Sequence, residues 1–324
     1  MSEIIYKLPN LIKTSIIRKP TGANNSPYLI FLDYYMNKNN ICHSAAQKCC
    51  GLLAPGKEVY ITKKLNVEPG KKETLSKFTA QLAIYNELNN KDEIGETDEI
   101  DESHDKDNKL SELICINPDI AEHITEKILI GNYLKKSGIV IKENSLKSQV
   151  SMKHKIYSND GDKNNIEYKA RFDFSAINPN NGKTMIFEVK TVVLADYDND
   201  TEKIKKYKIK NGYCSSKKFD EKIAIFPKGF RARKTDTISS RANHHLAYLS
   251  YIQRELSNDY ETYLIFIIQR SDVIEFQPYI DDPEFCKMLK DAHQYGVNIR
   301  AISMKWNSSG ESTIINDNIP ITYI

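Results

Sequence analysis

The sequence predicts a mixed α/β (α+β) protein in which a small N-terminal β-barrel precedes a larger domain built on a mixed sheet. Short strand-like runs separated by turn residues are typical of small barrels, and they fill the first region. Helices between long apolar strands, which follow later, imply at least one parallel strand pair. We expect a barrel at 1–88, a mobile acidic linker at 89–110, the mixed-sheet domain at 111–307 and a polar tail at 308–324.

The composition is that of a folded intracellular protein. Its 324 residues are 40% hydrophobic, which excludes a disordered chain, and 46 Lys and Arg face 43 Asp and Glu. The N-terminus lacks a signal-peptide pattern, and no apolar run is long enough to span a bilayer. Six cysteines without a CxxC pair offer no zinc framework and suit a reducing compartment. We therefore expect a soluble protein of the cytoplasm or nucleus without a membrane segment.

In the first region, Tyr28–Leu32 and Glu58–Thr62 predict strands, and Pro55-Gly56 supplies a turn between them. The linker that follows carries nine acidic residues between Asp92 and Asp107. Such like charges repel one another and cannot form a core. The boundary between the two domains is therefore placed at this acidic run.

The second region alternates helices and strands. Isoleucines at Ile120, Ile124 and Ile128 recur at helical spacing, and Asp282-Pro283 combines an N-cap with a proline in the first turn. The predicted helices are Asp119–Leu134, Asn243–Leu256 and one that begins at Asp282 and ends at Gly296. The predicted strands are Tyr263–Ile268, which is apolar throughout as in a strand buried on both faces, and Val297–Trp306.

The stretch from Arg171 to Lys190 carries the strongest chemical signal. Two alternating apolar runs flank an Asn-Gly turn, which predicts a β-hairpin. Side chains alternate along a strand, so Glu188 and Lys190 share a face, and the hairpin can bring Asp173 beside them. Two carboxylates can hold Mg²⁺ or Mn²⁺ through oxygen while a lysine orients water or stabilises phosphate charge. An exposed ion pair on a surface hairpin is the alternative interpretation.

A basic segment precedes the second predicted helix and contains Lys228, Arg231, Arg233 and Lys234. Phosphate contact and a solvated loop are equally good interpretations of it. Arg241 and His245 follow four residues apart, hence on one helix face, and an arginine can clamp a phosphate. For His245 a capping or packing role is the alternative interpretation.

The second half resembles a known family. The resemblance rests on the order and spacing of several motifs over about 130 residues. They are Phe187–Leu194, Phe226-Pro227, Ser239–Leu246, Phe266–Arg270, Phe276-Gln277-Pro278, Asp282-Pro283 and Tyr295–Asn298. In these the chain resembles the sugar fermentation stimulation protein family. That resemblance implies an OB-like barrel joined to a PD-(D/E)XK core similar to restriction endonucleases.

The resemblance also assigns roles. Asp173, Glu188 and Lys190 match the catalytic residues of such a core, and the first two match its metal ligands. Glu126 matches a helix glutamate that often completes the metal site. Arg241 and His245 match a family motif taken here as nucleic-acid-binding. Ala242 departs from the family, which has a glycine there.

Two functions stay open on the sequence. The favoured one is a Mg²⁺-dependent nuclease that acts on DNA. The alternative is a non-catalytic, regulatory DNA-binding protein that keeps the nuclease fold, and a homodimer is compatible with either. A sugar-metabolism enzyme finds no support, because the sequence lacks a sugar-site motif and a GxxxxGK[ST] loop.

Overall fold

A computed structural model gives the fold of the chain. The structure describes residues 3–18, 28–34, 40–45, 52–64, 76–86, 111–156, 166–195, 221–227, 239–280 and 282–324. The predicted linker at 89–110 lies outside these residues.

The strands in the N-terminal part are β1 (Ile4–Lys7), β2 (Ile12–Arg18), β3 (Leu29–Leu32), β4 (Asn40–His43), β5 (Glu58–Lys63), β6 (Phe78–Asn86) and β7 (Ser111–Cys115). Those that follow are β8 (Lys147–Ile156), β9 (Ile166–Ile177), β10 (Thr184–Val192), β11 (Leu194–Ala195), β12 (Lys222–Phe226), β13 (Tyr260–Ile268), β14 (Val273–Pro278), β15 (Asn298–Trp306) and β16 (Glu311–Asn316). The helices are α1 (Asp119–Ile130), α2 (Ser240–Glu255) and α3 (Pro283–Gln294), and a short 3₁₀ turn spans Lys135–Ser137.

The N-terminal strands confirm the predicted barrel. The order β4-β3-β2-β5-β6 closes on itself because β4 also pairs with β6, in parallel. Apolar side chains of alternate strand residues fill the interior, among them Ile16, Leu32, Val59 and Ile61. A closed ring leaves no free edge, which stabilises such short strands.

The larger sheet has seven strands in the order β1-β16-β15-β13-β10-β9-β8. Its centre is parallel, since β13 runs parallel to both β10 and β15. The run Tyr263–Ile268 in β13 is buried throughout, as predicted for a strand covered on both faces. The hairpin between β9 and β10 is antiparallel, as its Asn-Gly turn predicted.

The helices cover the two faces of this sheet. Isoleucines of α1 pack on one face against Phe187 and Ile265, and α2 with α3 packs on the other against Phe172 and Phe266. The cap Asp282 accepts a hydrogen bond from the backbone N–H of Phe285, as expected for this helix start. Helix α1 ends at Ile130 rather than at Leu134, because the chain turns at Gly131 and Asn132 adopts a φ of 54°.

A buried ionic cluster joins the barrel to the larger region. Arg270 forms two hydrogen bonds of 2.6 Å with the carboxylate of Asp272, and Lys222 lies 3.4 Å from the same carboxylate. Glu112 of β7 accepts hydrogen bonds from the backbone and hydroxyl of Ser271 beside them. Removal of one member would leave buried charge uncompensated, so the cluster fixes how the two parts meet.

Strand pairing crosses the predicted domain boundaries at three places. β1 lies within 1–88 but pairs with β16 in the large sheet, and β7 lies beyond residue 110 but pairs with β6 of the barrel sheet. The predicted polar tail includes β16, which completes the large sheet. Long-range strand pairing, which local sequence does not reveal, decides these memberships.

Among the helices that the structure describes, none has the length and apolar character that a membrane span requires.

The turn between β15 and β16 packs against the segment after β1. Gly310 has a φ of +78°, and a Cβ there would lie 2.9 Å from Leu11 Cδ1 and 3.0 Å from Leu8 Cβ. Gly182, in the β9–β10 turn, has a φ of +76°, and a Cβ there would have no atom beyond its own chain neighbours within 4 Å. Both sites strain an alanine backbone, but only Gly310 adds a clash.

We therefore expect Gly310→Ala to lower the free energy of unfolding more than Gly182→Ala does, by roughly 1–3 kcal/mol. Urea unfolding of the two variants beside the unsubstituted protein measures the difference. Equal losses would contradict the packing of Leu8 and Leu11 on this turn.

Candidate active site

The site lies where β9 and β10 separate. Their paired register ends at Phe174 and Phe187. Beyond this point the Oδ2 atom of Asp173 accepts a hydrogen bond of 2.7 Å from the backbone N–H of Val189. A side-chain carboxylate thus replaces the carbonyl that a strand partner would supply, and the backbone group stays satisfied. This exchange opens the hairpin and turns Asp173 towards Glu188.

Glu188 is 1% exposed and is held through one oxygen. Its Oε1 accepts a hydrogen bond of 2.5 Å from Nδ1–H of His245 and a second from the Nζ of Lys190. Its Oε2 is buried and has no hydrogen-bond partner among the described residues. Because Oε1 carries both bonds, the carboxylate is fixed with one unused oxygen.

The pKa values of the two carboxylates are shifted in opposite directions. Burial, and then the charge of Glu188, raises the pKa of Asp173 to about 7. Burial also acts to raise the pKa of Glu188, but the hydrogen bond from His245 and the charge of Lys190 outweigh it and lower that pKa. Near neutral pH the pair therefore holds one firmly ionised acid beside one that is partly protonated.

A cleft of about 380 Å³ receives these groups. Two helix starts line it: Pro118, Asp119 and Glu122 belong to the start of α1, and Ser239 and Arg241 to the start of α2. Exposed N–H groups at a helix N-terminus favour anions. The cleft thus offers carboxylates that suit a cation. It also offers two helix N-termini and an arginine that suit an anion.

The structure brings most of the predicted site residues together. Asp173, Glu188, Lys190 and Arg241 all line the cleft. Of the acids on α1, the predicted Glu126 does not line the cleft, whereas Glu122, one helical turn earlier, does. The reason is geometric: the cleft lies at the N-terminal end of α1, and a turn advances about 5.4 Å along the axis. The sequence signal that could have pointed to Glu122 is its position in the first turn of α1, at the end of the helix that meets the cleft.

His245 also departs from its prediction as a nucleic-acid contact. It is 5% exposed, and its ring nitrogen bonds Glu188 while the ring packs edge-on against Phe172. A buried side chain with this partner holds a carboxylate rather than a phosphate. The four basic residues Lys228, Arg231, Arg233 and Lys234 lie outside the described residues, so their predicted contact stays a prediction.

Within the described residues, no group of three or more His, Cys, Asp or Glu side chains is arranged to hold a metal ion. The cleft offers two adjacent carboxylates instead, from Asp173 and Glu188. Mg²⁺ keeps several waters and needs one or two carboxylates, so this pair fits Mg²⁺ better than a metal with a full protein ligand set.

The fold and the cleft define a mixed α/β protein in which a closed five-stranded barrel joins a sheet-rich region with an acidic, lysine-containing cleft. Residues 214–310 match the family model of the sugar fermentation stimulation protein (SfsA) RE domain. A curated relative, a sugar fermentation stimulation protein homolog from Desulforamulus reducens, is 38% identical over 85 residues. That alignment covers 26% of this chain and 31% of the relative.

A solved structure, described as Pyrococcus furiosus SfsA in complex with Ca²⁺, matches the whole fold. The TM-score is 0.60, with 15% identity, over 99% of this chain and 100% of the other. At this identity the likeness concerns the fold. Residues 214–310 and the 85 aligned residues are thus similar to SfsA proteins in sequence, and the solved structure is similar to this chain in fold.

The raised pKa of Asp173 has a consequence for stability. An aspartate in an unfolded chain titrates near pH 3.9, at about its ordinary value, whereas Asp173 titrates at about 7 in the fold. Between these values the native state holds a proton that the unfolded chain has lost. The free energy of unfolding therefore falls as the pH rises from about 4 to about 7.

We expect Asp173→Asn to stabilise the protein without divalent cations at pH 8, on the order of 2 kcal/mol, and to change little at pH 4.5. The amide oxygen can still accept the bond from Val189. Thermal melts in EDTA at both pH values measure this, with exposed Asp259→Asn as the control. A stabilisation of equal size at both pH values would contradict the raised pKa.

Proposed function

We propose that the protein is a Mg²⁺-dependent phosphodiesterase that acts on DNA. The observation that carries this proposal is the buried, unpartnered Oε2 of Glu188 in the same cleft as Asp173. Leaving a buried carboxylate oxygen without a partner costs free energy, and a cation bound there would recover that cost.

The two carboxylates would hold the metal. The fit is chemical: both are oxygen ligands, and the charge of Glu188 raises the pKa of Asp173, a repulsion that a divalent cation would relieve. When bound, Mg²⁺ supplies charge stabilisation to a phosphate and lowers the pKa of a coordinated water. Glu122 lines the same cleft, so it would complete the metal site in the role predicted for Glu126.

The remaining cleft residues suit a phosphate. Lys190 is held beside Glu188 and would orient the attacking water or stabilise the charge that develops on phosphate oxygens. Arg241 is exposed at the start of α2, where a guanidinium and the helix N-terminus can both act on one phosphate.

Family resemblance supports the same direction. The similarity to SfsA proteins supports, at the level of the family, a DNA-binding protein with a nuclease-like fold. The matched Pyrococcus furiosus SfsA structure is described as a Ca²⁺ complex, which supports a divalent-cation site in a related fold.

One observation favours a second candidate, a regulatory DNA-binding protein without catalysis. Lys190 and His245 already bond Glu188, so the carboxylate is partly compensated without a metal. In that case the cleft would bind a phosphate but would not hydrolyse its ester.

A cleavage assay on duplex and single-stranded DNA with Mg²⁺ or Mn²⁺ decides between the two. We expect Glu188→Gln to lower cleavage by more than about 100-fold, beyond the effect usual for residues that only support a ligand, while DNA binding is retained. Glu122→Gln should also lower cleavage, and Glu126→Gln, the same change one turn away on α1, should not. Binding without cleavage in the unsubstituted protein would favour the regulatory candidate.

His245 gives a second test, because it fixes the Glu188 carboxylate through Oε1. His245→Leu removes the donor, so we expect Mn²⁺ affinity to fall roughly 10–100-fold, the usual effect of losing a group that orients a ligand. His245→Asn can place an amide N–H near the position of Nδ1 and should recover most of that affinity. Calorimetric titration with Mn²⁺ measures both variants, and equal losses would show that the hydrogen bond has no such role.

A further inference from the structure

A row of cations follows the outer end of β8 and β9, on the face away from α2. It consists of Lys153, Lys155, Lys169 and Arg171, all exposed, and is called the basic ladder below. The face is known from alternation: Ala170 and Phe172 pack in the cluster that contains α2, so Lys169 and Arg171 point to the other side.

The strand register sets one pair of like charges against each other. Lys153 lies directly opposite Lys169, whereas Arg171 lies opposite Ser151 and Lys155 lies opposite Glu167. Like charges at directly opposed positions destabilise a sheet. An arrangement that costs stability in the free protein is explained if an anion binds there.

Little in the described part of the chain neutralises the ladder. Glu167 forms an ion pair of 2.7 Å with Lys153, and both side chains are exposed. Among the residues that the structure describes, Lys155, Lys169 and Arg171 form no ion pair. The pKa of Glu167 is lowered, first by the hydrogen bond from Lys153 and then by the charges around it, including those of Lys155 and Lys169. The local potential is therefore positive.

The ladder is open to an approaching partner. β8 is the edge strand of the large sheet. Helix α1 meets this strand at Gln149, whose amide donates to Glu122 over 2.9 Å. From Ser151 onwards every second residue of β8, through Lys155, is exposed. This contact of α1 with β8 thus lies just before the ladder begins.

The ladder also continues the cleft. Arg171 lies two residues before Asp173 on β9, about 7 Å along the strand, and Lys169 lies two residues further from the cleft. A polyanion with one end at Asp173 and Glu188 would meet Arg171 first and then the Lys153–Lys169 pair.

We propose that the basic ladder is a binding track for the phosphate backbone of the DNA strand that leaves the cleft. This assignment rests on the proposed function for the identity of the polymer. The track binds phosphates and does not read bases, because lysine and arginine on a strand face contact the backbone without sequence information. It holds the substrate in register with Asp173 and Glu188.

The test is the salt dependence of DNA binding, measured in EDTA so that no cleavage occurs. The logarithm of the affinity falls linearly with the logarithm of salt concentration, with a slope of about 0.7–0.9 per phosphate contact. We expect the double variant Lys153→Gln/Lys169→Gln to reduce that slope by about 1.4–1.8. The matched control is Lys287→Gln/Lys290→Gln, two exposed lysines on α3, which packs on the other face.

A second measurement separates this proposal from the proposed function. Bis(p-nitrophenyl) phosphate is small enough to occupy the cleft alone, so the ladder variant should hydrolyse it at the unsubstituted rate while its KM for an oligonucleotide rises. An unchanged salt slope overturns the track, even if cleavage is found. If no cleavage is found in any variant but the slope falls as expected, the proposed function fails and the track stands as a DNA-binding surface.

Discussion

The site depends on one hydrogen bond, from the backbone N–H of Val189 to the carboxylate of Asp173. It ends the pairing of β9 with β10 without leaving a buried N–H unsatisfied, while β9 goes on pairing with β8. The gap that results admits the start of α2 and brings Asp173 next to Glu188. A regular hairpin would have closed this space with backbone bonds.

The charges of the site follow from that opening. Two carboxylates are buried in one site, which disfavours ionisation of both, and Lys190 and His245 compensate Glu188 more fully than the Val189 N–H compensates Asp173. Asp173 is left with a raised pKa and Glu188 with an unused oxygen. Shifted pKa values and unpartnered polar atoms are common at functional sites, where a bound ligand supplies the missing interaction.

The barrel is fixed to the larger region rather than loosely attached in the described chain. Arg270, Asp272 and Lys222 are fully or almost fully buried where the two parts meet, and Glu112 reaches them from β7. Apolar contact adds to this, since Leu194 and Ile225 pack into the barrel core. A buried ionic cluster contributes less to net stability than to geometry, because its desolvation offsets much of its Coulomb energy.

The sequence by itself determined the elements whose signals are local. The Asn-Gly turn, the apolar run of β13 and the Asp282-Pro283 cap were each predicted correctly, because turn chemistry, burial pattern and capping act over a few residues. The alternation of side chains along one strand also placed Glu188 and Lys190 in one site. Tertiary structure alone decided that β1 and β16 complete the large sheet, that Glu122 rather than Glu126 faces the cleft, and that His245 bonds Glu188. These depend on contacts between residues far apart in the chain and on where a helix ends against a sheet, which no local pattern specifies.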